Sequence, residues 1–159
     1  MATILTFQRP EPDWFARGLS AELQGDLHGA AALFRTAVDR RPRHAEAWFR
    51  LGAAMMGLAH REEAENALLK AIDCDQAHIP AWRKLSNLYA SLGRGRQYRF
   101  CLGWLLMLDR TDVAARRDLA LSLEAEARTW EAKRHWLYIA RTCGDETLIA
   151  EARVRLQEL

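Results

Sequence analysis

Residues 45–78 read AEAWFRLGAAMMGLAHREEAENALLKAIDCDQAH, and their spacing recurs on both sides at a 34-residue period marked by Trp14, Trp48 and Trp82. A fixed repeat of this length signals stacked supersecondary units, each too small to bury its apolar face alone. Trp48, Leu51, Gly52 and Met55 fall on one helical face, and Ala64, Leu68 and Ala71 fall on the face of a second helix. The chain is expected to be built from helix pairs.

The pattern resembles the tetratricopeptide repeat, in which Trp, Leu-Gly, an aromatic, Ala, Phe, Ala and a closing Pro are spread over a helix–turn–helix. Trp48, Leu51, Gly52, Ala64 and Ala71 match by type, while Met55 and Leu68 replace aromatics. Residues 11–44 keep Trp14, Gly18, Ala30, Phe34, Ala37 and Pro42, with Asp26 as the N-cap of the second helix after a turn at Gly25. Residues 79–112 have Pro80, Trp82, Leu85, Tyr89 and Leu92, but Ser86 and Tyr98 stand where the pattern wants Gly and Ala. Residues 113–146 are a degenerate fourth window with Arg116 at the tryptophan position and Leu119, Ala120, Leu123, Ala132, Trp136 and Ile139 as its core. The resemblance implies an all-α fold, a right-handed α-solenoid of antiparallel helix pairs. It also implies an extended N-terminal segment over 1–10, four helix pairs (11–44, 45–78, 79–112 and 113–146) and a C-terminal capping helix over 147–159.

Physical reasons stand behind the pattern. A Gly on the first helix facing an Ala on the second lets the backbones approach, where a larger side chain would overpack. Trp48 fills the gap between helix pairs, so Trp48→Ala is expected to cost about 3–5 kcal/mol. In the third window, Ser86 and Tyr98 predict a splayed or differently packed pair, with Gly93-Arg94-Gly95 loosening its turn. Asp145 is a helix cap, and Glu151, Arg153, Arg155 and Glu158 read as a solvated final helix.

Composition narrows the function. A 159-residue chain that is half apolar and 28% charged is long enough for a stacked core, and a net charge of +2 argues against a general polyanion binder. The basic excess sits in the third window. Cys74, Cys101 and Cys143 are odd in number and widely spaced, which reads as buried, reduced thiols rather than a disulfide framework or metal site. Residues 1–10 lack a basic leader and a long apolar run, no stretch reaches membrane-spanning length, and a cytoplasmic protein is expected. No phosphate loop, nucleophile elbow or zinc helix is present, so neither catalysis nor a cofactor is expected.

Two surfaces are candidates for binding. The family resemblance implies that the first helix of each pair lines a concave groove, along positions one, five and eight after the tryptophan. Those positions hold Phe15, Leu19, Phe49, Met56, Arg83, Asn87 and Arg117, with Arg50 and Lys84 flanking them. The stripe begins apolar and becomes cationic, which suits a peptide with a hydrophobic anchor and an acidic or C-terminal carboxylate end. Arg83 with Asn87 is similar to one element of the carboxylate clamp in chaperone-binding members. The match stops at Asp118, where the clamp wants a neutral amide.

The second surface lies on the helix over 96–108. Placing Tyr98, Leu102, Leu105 and Leu106 inward puts Phe100, Trp104 and Met107 outward, where the first two windows carry Ala32, Thr36, Asp39 and Asn66, Lys70, Asp73. An outer apolar stripe is a candidate for a homodimer contact or a second partner site, and the alternative is that Trp104 turns into the core. The leading expectation is a protein-binding adaptor or assembly chaperone. The alternatives are a homo-oligomeric scaffold and, by length and few-repeat build, something similar to the small chaperones of bacterial type III secretion. Nucleic acid is disfavoured, and membrane contact is expected to be peripheral at most.

Overall fold

The computed structural model describes residues 13–159, so the expected segment 1–10, with Pro10, lies outside the described residues. Among the described residues the chain forms nine helices and no strand: α1 (Trp14–Leu23), α2 (Leu27–Arg40), α3 (Ala45–Gly57), α4 (Arg61–Cys74), α5 (Ile79–Ser91), α6 (Gly95–Leu108), α7 (Val113–Glu124), α8 (Thr129–Thr142) and α9 (Glu146–Glu158). Each helix packs on the next in sequence, and α3 also touches α5, so first helices of neighbouring pairs lie side by side. The architecture is an all-α helical-repeat solenoid.

The turns inside the pairs obey the period. Gly25, Ala59, Gly93 and Ala127 occupy equivalent positions, all with positive φ (78°, 61°, 66° and 55°). Gly93 therefore does not loosen its turn. It supplies the left-handed backbone that every pair uses, and the two alanines adopt it at a steric cost.

Six of the nine described helix starts are capped by side chains that accept otherwise orphaned amides, and α4, α6 and α8 have no such cap. Asp26 Oδ1 accepts from Gly29 N at 2.8 Å, Asp112 Oδ1 from Ala115 N at 2.9 Å and Asp145 Oδ1 from Thr147 N at 2.8 Å. His44 Nδ1 and His78 Nδ1 do the same for Ala47 N and Ala81 N, each at 3.2 Å.

Close approach within pairs depends on glycine. A Cβ on Gly18 would sit 2.6 Å from the Phe34 ring, and one on Gly52 would sit 2.8 Å from Leu68 Cγ. Both glycines make room for the large residue of the second helix, and Gly52 also faces its alanine as expected, a Cβ there lying 3.3 Å from Ala64 O. In the third pair, buried Ser86 turns its hydroxyl back to donate to Arg83 O at 2.8 Å, and the helices still close over Leu85, Leu102 and Leu105.

The tryptophan position has the same task in the second and third pairs. Trp48 Nε1 donates to Pro42 O at 2.8 Å and Trp82 Nε1 to Gln76 O at 2.9 Å, each six residues upstream. Arg116 imitates them, its guanidinium donating to Arg110 O at 2.7 Å while stacking 3.6 Å from the Tyr138 ring centroid. The buried core splits at α7. Its N-terminal Ala115 joins the first three pairs, whereas Ala120 and Leu123 join Ala132, Trp136, Ile139 and Ala152.

Cys101 is buried, and burial pushes its thiol up to about 12, but Cys74 and Cys143 are only half-buried. The last helix is less solvated than its composition implied. Glu151 is bonded by Arg117, and Arg155 reaches Glu124 at 3.5 Å.

Candidate binding surfaces

The residues one after the tryptophan position lie on the accessible edges of α1, α3, α5 and α7, as expected, but each is engaged by a neighbouring repeat. Phe15 packs against His44 (ring centroids 4.7 Å apart) and Phe49 against His78 (5.1 Å). Arg83 bonds Asp112 at 2.5 Å. The partner in all three cases is the N-cap of the next first helix, so the position couples one repeat to the following cap. Where the cap is an imidazole the contact is aromatic, and where it is a carboxylate the contact is a guanidinium.

The cationic part of the expected groove is consumed in the same way. Arg50 bonds Glu46 at 2.7 Å and Glu22 at 3.2 Å. The Glu46 hydrogen bond raises its pKa above the ordinary arginine value against the opposing effect of burial. Arg117 binds both carboxylate oxygens of Glu151, at 2.7 and 2.8 Å. That bond holds Glu151 below the usual carboxylate value. Of the cations singled out from the sequence, Lys84 alone makes no ion pair among the described residues; it and Asn87 are exposed on α5. Phe15, Leu19, Phe49 and Met56 are half-buried and pack against the core, leaving only their edges to solvent.

A cleft that the sequence did not single out opens where the third and fourth pairs meet. Ala90, Tyr98, Asp118 and Leu121 line it, together with Gly93 and Gly95. Its walls are mostly apolar, and its glycines leave backbone within reach of a ligand. Burial raises the phenols of Tyr89 and Tyr98 to about 12, reinforced by the carboxylates that accept from them, Glu65 for the first and Asp118 for the second. Both remain protonated donors at neutral pH. Ala90 and Leu121 do fall on the expected stripe. What sequence reading lacked was the opening between pairs, which arises from Gly93, Gly95 and the small Ala90 together.

On the outer face, Phe100 and Met107 are 62% and 69% exposed, as expected. Trp104 lies between the two alternatives. It is half-buried and stacks on Trp82 with ring centroids 5.2 Å apart and planes 9° from parallel. Among the described residues no group of three His, Cys, Asp or Glu side chains could hold a metal ion, and no helix is long and apolar enough to cross a membrane.

Residues 21–92 match the family model described as tetratricopeptide repeat. A peroxisomal targeting signal receptor from Yarrowia lipolytica is 36% identical over 83 residues, which span 52% of this chain and 14% of the receptor. Among solved structures, MamA superposes with a TM-score of 0.71 at 18% identity, covering 92% of this chain and 80% of MamA. YrrB, described as a tetratricopeptide-repeat protein with an unusual peptide-binding site, gives 0.73 at 17% identity, covering 91% of this chain and 75% of YrrB. The first such domain of Spaghetti (RPAP3), bound to the HSP90 peptide SRMEEVD, gives 0.63 at 17% identity over 72% of this chain and 93% of that one.

Proposed function

We propose that the chain, whose residues 21–92 match the tetratricopeptide-repeat model and which has the fold of such proteins, is a non-catalytic protein–protein interaction module holding a peptide segment of a partner along the exposed edges of its first helices. The observation that carries this reading is the mostly apolar cleft bounded by Ala90, Tyr98 and Leu121, with Lys84 and Asn87 exposed on the same helix as Ala90. Peptide binding by YrrB and by the Spaghetti domain supports it as analogy.

The geometry revises the ligand. Arg50, Arg83 and Arg117 already neutralise internal carboxylates, so a carboxylate clamp would have to break those pairs. The segment that fits carries an apolar side chain for the Leu121 cleft and hydrogen-bonding groups for Asn87 and Lys84, with at most one acidic group. An adaptor or assembly-chaperone role follows from this mode of binding, and a cytoplasmic setting is part of the same proposal.

The test is selection of a displayed random-peptide library on the folded protein, followed by titration of the selected peptides. Leu121→Arg and Lys84→Glu should weaken binding by about tenfold or more, equivalent to about 1.4 kcal/mol, with circular dichroism unchanged. Unaltered affinity in both variants would sink the proposal. Arg83 is a poor probe, because its reversal also strikes the Asp112 cap of α7.

A further inference from the structure

The outer faces of α6 and α8 differ from the rest of the solenoid in a way that packing does not require. At the same register the outer positions of α2 and α4 hold Ala32, Thr36, Asp39 and Asn66, Lys70, Asp73, a mixed polar surface. Helix α6 contains no acidic residue, and α8 contains only Glu131. Together the two helices carry Arg96, Arg99, Lys133, Arg134 and Arg141. Arg99 pairs with Glu126, and Glu131 is held by both bonds of Arg128, at 2.7 Å each. Exposed Arg96, Arg134 and Arg141 make no ion pair among the described residues. Large apolar side chains stand among them: Phe100 and Met107 on α6, and Trp130, 64% exposed, and Leu137 on α8.

These two helices flank a cleft. Phe100 lines it with Leu119 and the buried Leu123 of α7, beside Arg96, Arg99, Arg128 and His135 and one acid, Glu131, which Arg128 neutralises. A furrow with apolar lining and cationic rims fits a rod with one apolar face and acidic flanks.

We propose that this outer cleft is a second docking site, separate from the inner edge, and that its occupant is an acidic amphipathic segment of a protein partner. Charge complementarity selects that occupant. A second copy docked face to face would set one cationic patch carrying Arg96, Arg134 and Arg141 against another, the one acid of the patch, Glu131, being already held by Arg128. An anionic bilayer is flat and would meet the exposed Phe100, Met107 and Trp130 without entering the cleft between the helices.

The experiment uses the same displayed library, counter-selected on the double variant Phe100→Glu/Arg134→Glu, both exposed positions. The retained peptides should be rich in Asp and Glu with apolar residues at helical spacing. Their affinity should fall about tenfold or more in the double variant, fall with added salt, and be unchanged by Leu121→Arg and Lys84→Glu. Loss in those inner-edge variants instead would place the peptides on the inner surface. Neutral, basic or no retained peptides would overturn the proposal. So would wild-type binding to phosphatidylserine vesicles, or a concentration-dependent mass in light scattering, that Phe100→Glu/Arg134→Glu abolishes in place of peptide binding.

Discussion

Trp82 and Trp104 stack almost parallel across the third helix pair, and Phe100 meets the Trp82 ring edge-on at 6.0 Å. The same 22-residue relationship joins Arg116 to Tyr138 one repeat later, with a guanidinium in place of the first indole. The first two repeats put Thr36 and Lys70 where Trp104 and Tyr138 stand. Flat side chains thus close the second half of the solenoid where polar ones suffice in the first.

Trp104→Ala should therefore destabilise the protein by about 1.5–3 kcal/mol, combining the lost aromatic pair with lost partial burial. Phe100→Ala and Met107→Ala, being mostly exposed, should stay within about 1 kcal/mol. Urea unfolding followed by circular dichroism measures all three. A Trp104→Ala effect as small as theirs would mean that the stack does not form in solution.

Arg116 replaces a tryptophan while keeping its hydrogen bond, but its Nε is buried without a partner. Arg116→Ala loses the bond to Arg110 O and the stack on Tyr138, and should cost about 1.5–3 kcal/mol. Arg116→Trp can restore the indole donation seen at Trp48 and Trp82 and removes the orphaned Nε. Its thermal midpoint should lie near or above that of the wild type.

Ala59 and Ala127 hold the left-handed backbone that Gly25 and Gly93 adopt freely. Ala59→Gly and Ala127→Gly should each stabilise the fold by about 0.5–1 kcal/mol, the relief of the Cβ clash outweighing the extra chain entropy of glycine. Chemical denaturation of each variant checks the sign, which is the reverse of the usual effect of introducing glycine.

Burial, reinforced by Arg116 and Arg134, holds the His135 imidazole below its ordinary value, while Glu131 acts weakly the other way. The unfolded chain therefore takes up a proton more readily than the folded one as pH falls through about 6.5. Stability from this site is complete above that pH and declines below it. His135→Phe should shrink the loss of urea midpoint between about pH 7.5 and pH 5.5. An identical decline in wild type and variant would show that His135 is not responsible.

Local features were readable from the sequence because their causes are local. The period of Trp14, Trp48 and Trp82, the caps at Asp26 and Asp145, and the buried Ala132, Trp136 and Ile139 each follow from residue type and helical spacing. The ion pairs between repeats were not legible, because apart from the local Arg50–Glu46 pair the partners of the groove arginines lie about one repeat away. Arg50 finds Glu22, Arg83 finds Asp112 and Arg117 finds Glu151 only once the pairs are stacked. A signal did exist in the sequence. The residue after the tryptophan position changes from Phe to Arg as the following cap changes from His44 and His78 to Asp112.

Trp104 was ambiguous for a related reason. Helical spacing assigns α6 an outer face but cannot show that Trp82 extends far enough to cover half of one residue on it. The inner cleft depends on Ala90, Tyr98 and Leu121 from three helices, so no single periodic stripe contains it.

The most direct test of the interaction-module account is methyl-resolved NMR of the folded protein titrated with a peptide selected on it and weakened by Leu121→Arg. The account predicts saturable shifts centred on the methyl groups of Leu121, Ala90 and Met56. Shifts confined to Ala32, Leu69 and other methyls of the second helices, with the first-helix edges unmoved, would contradict it.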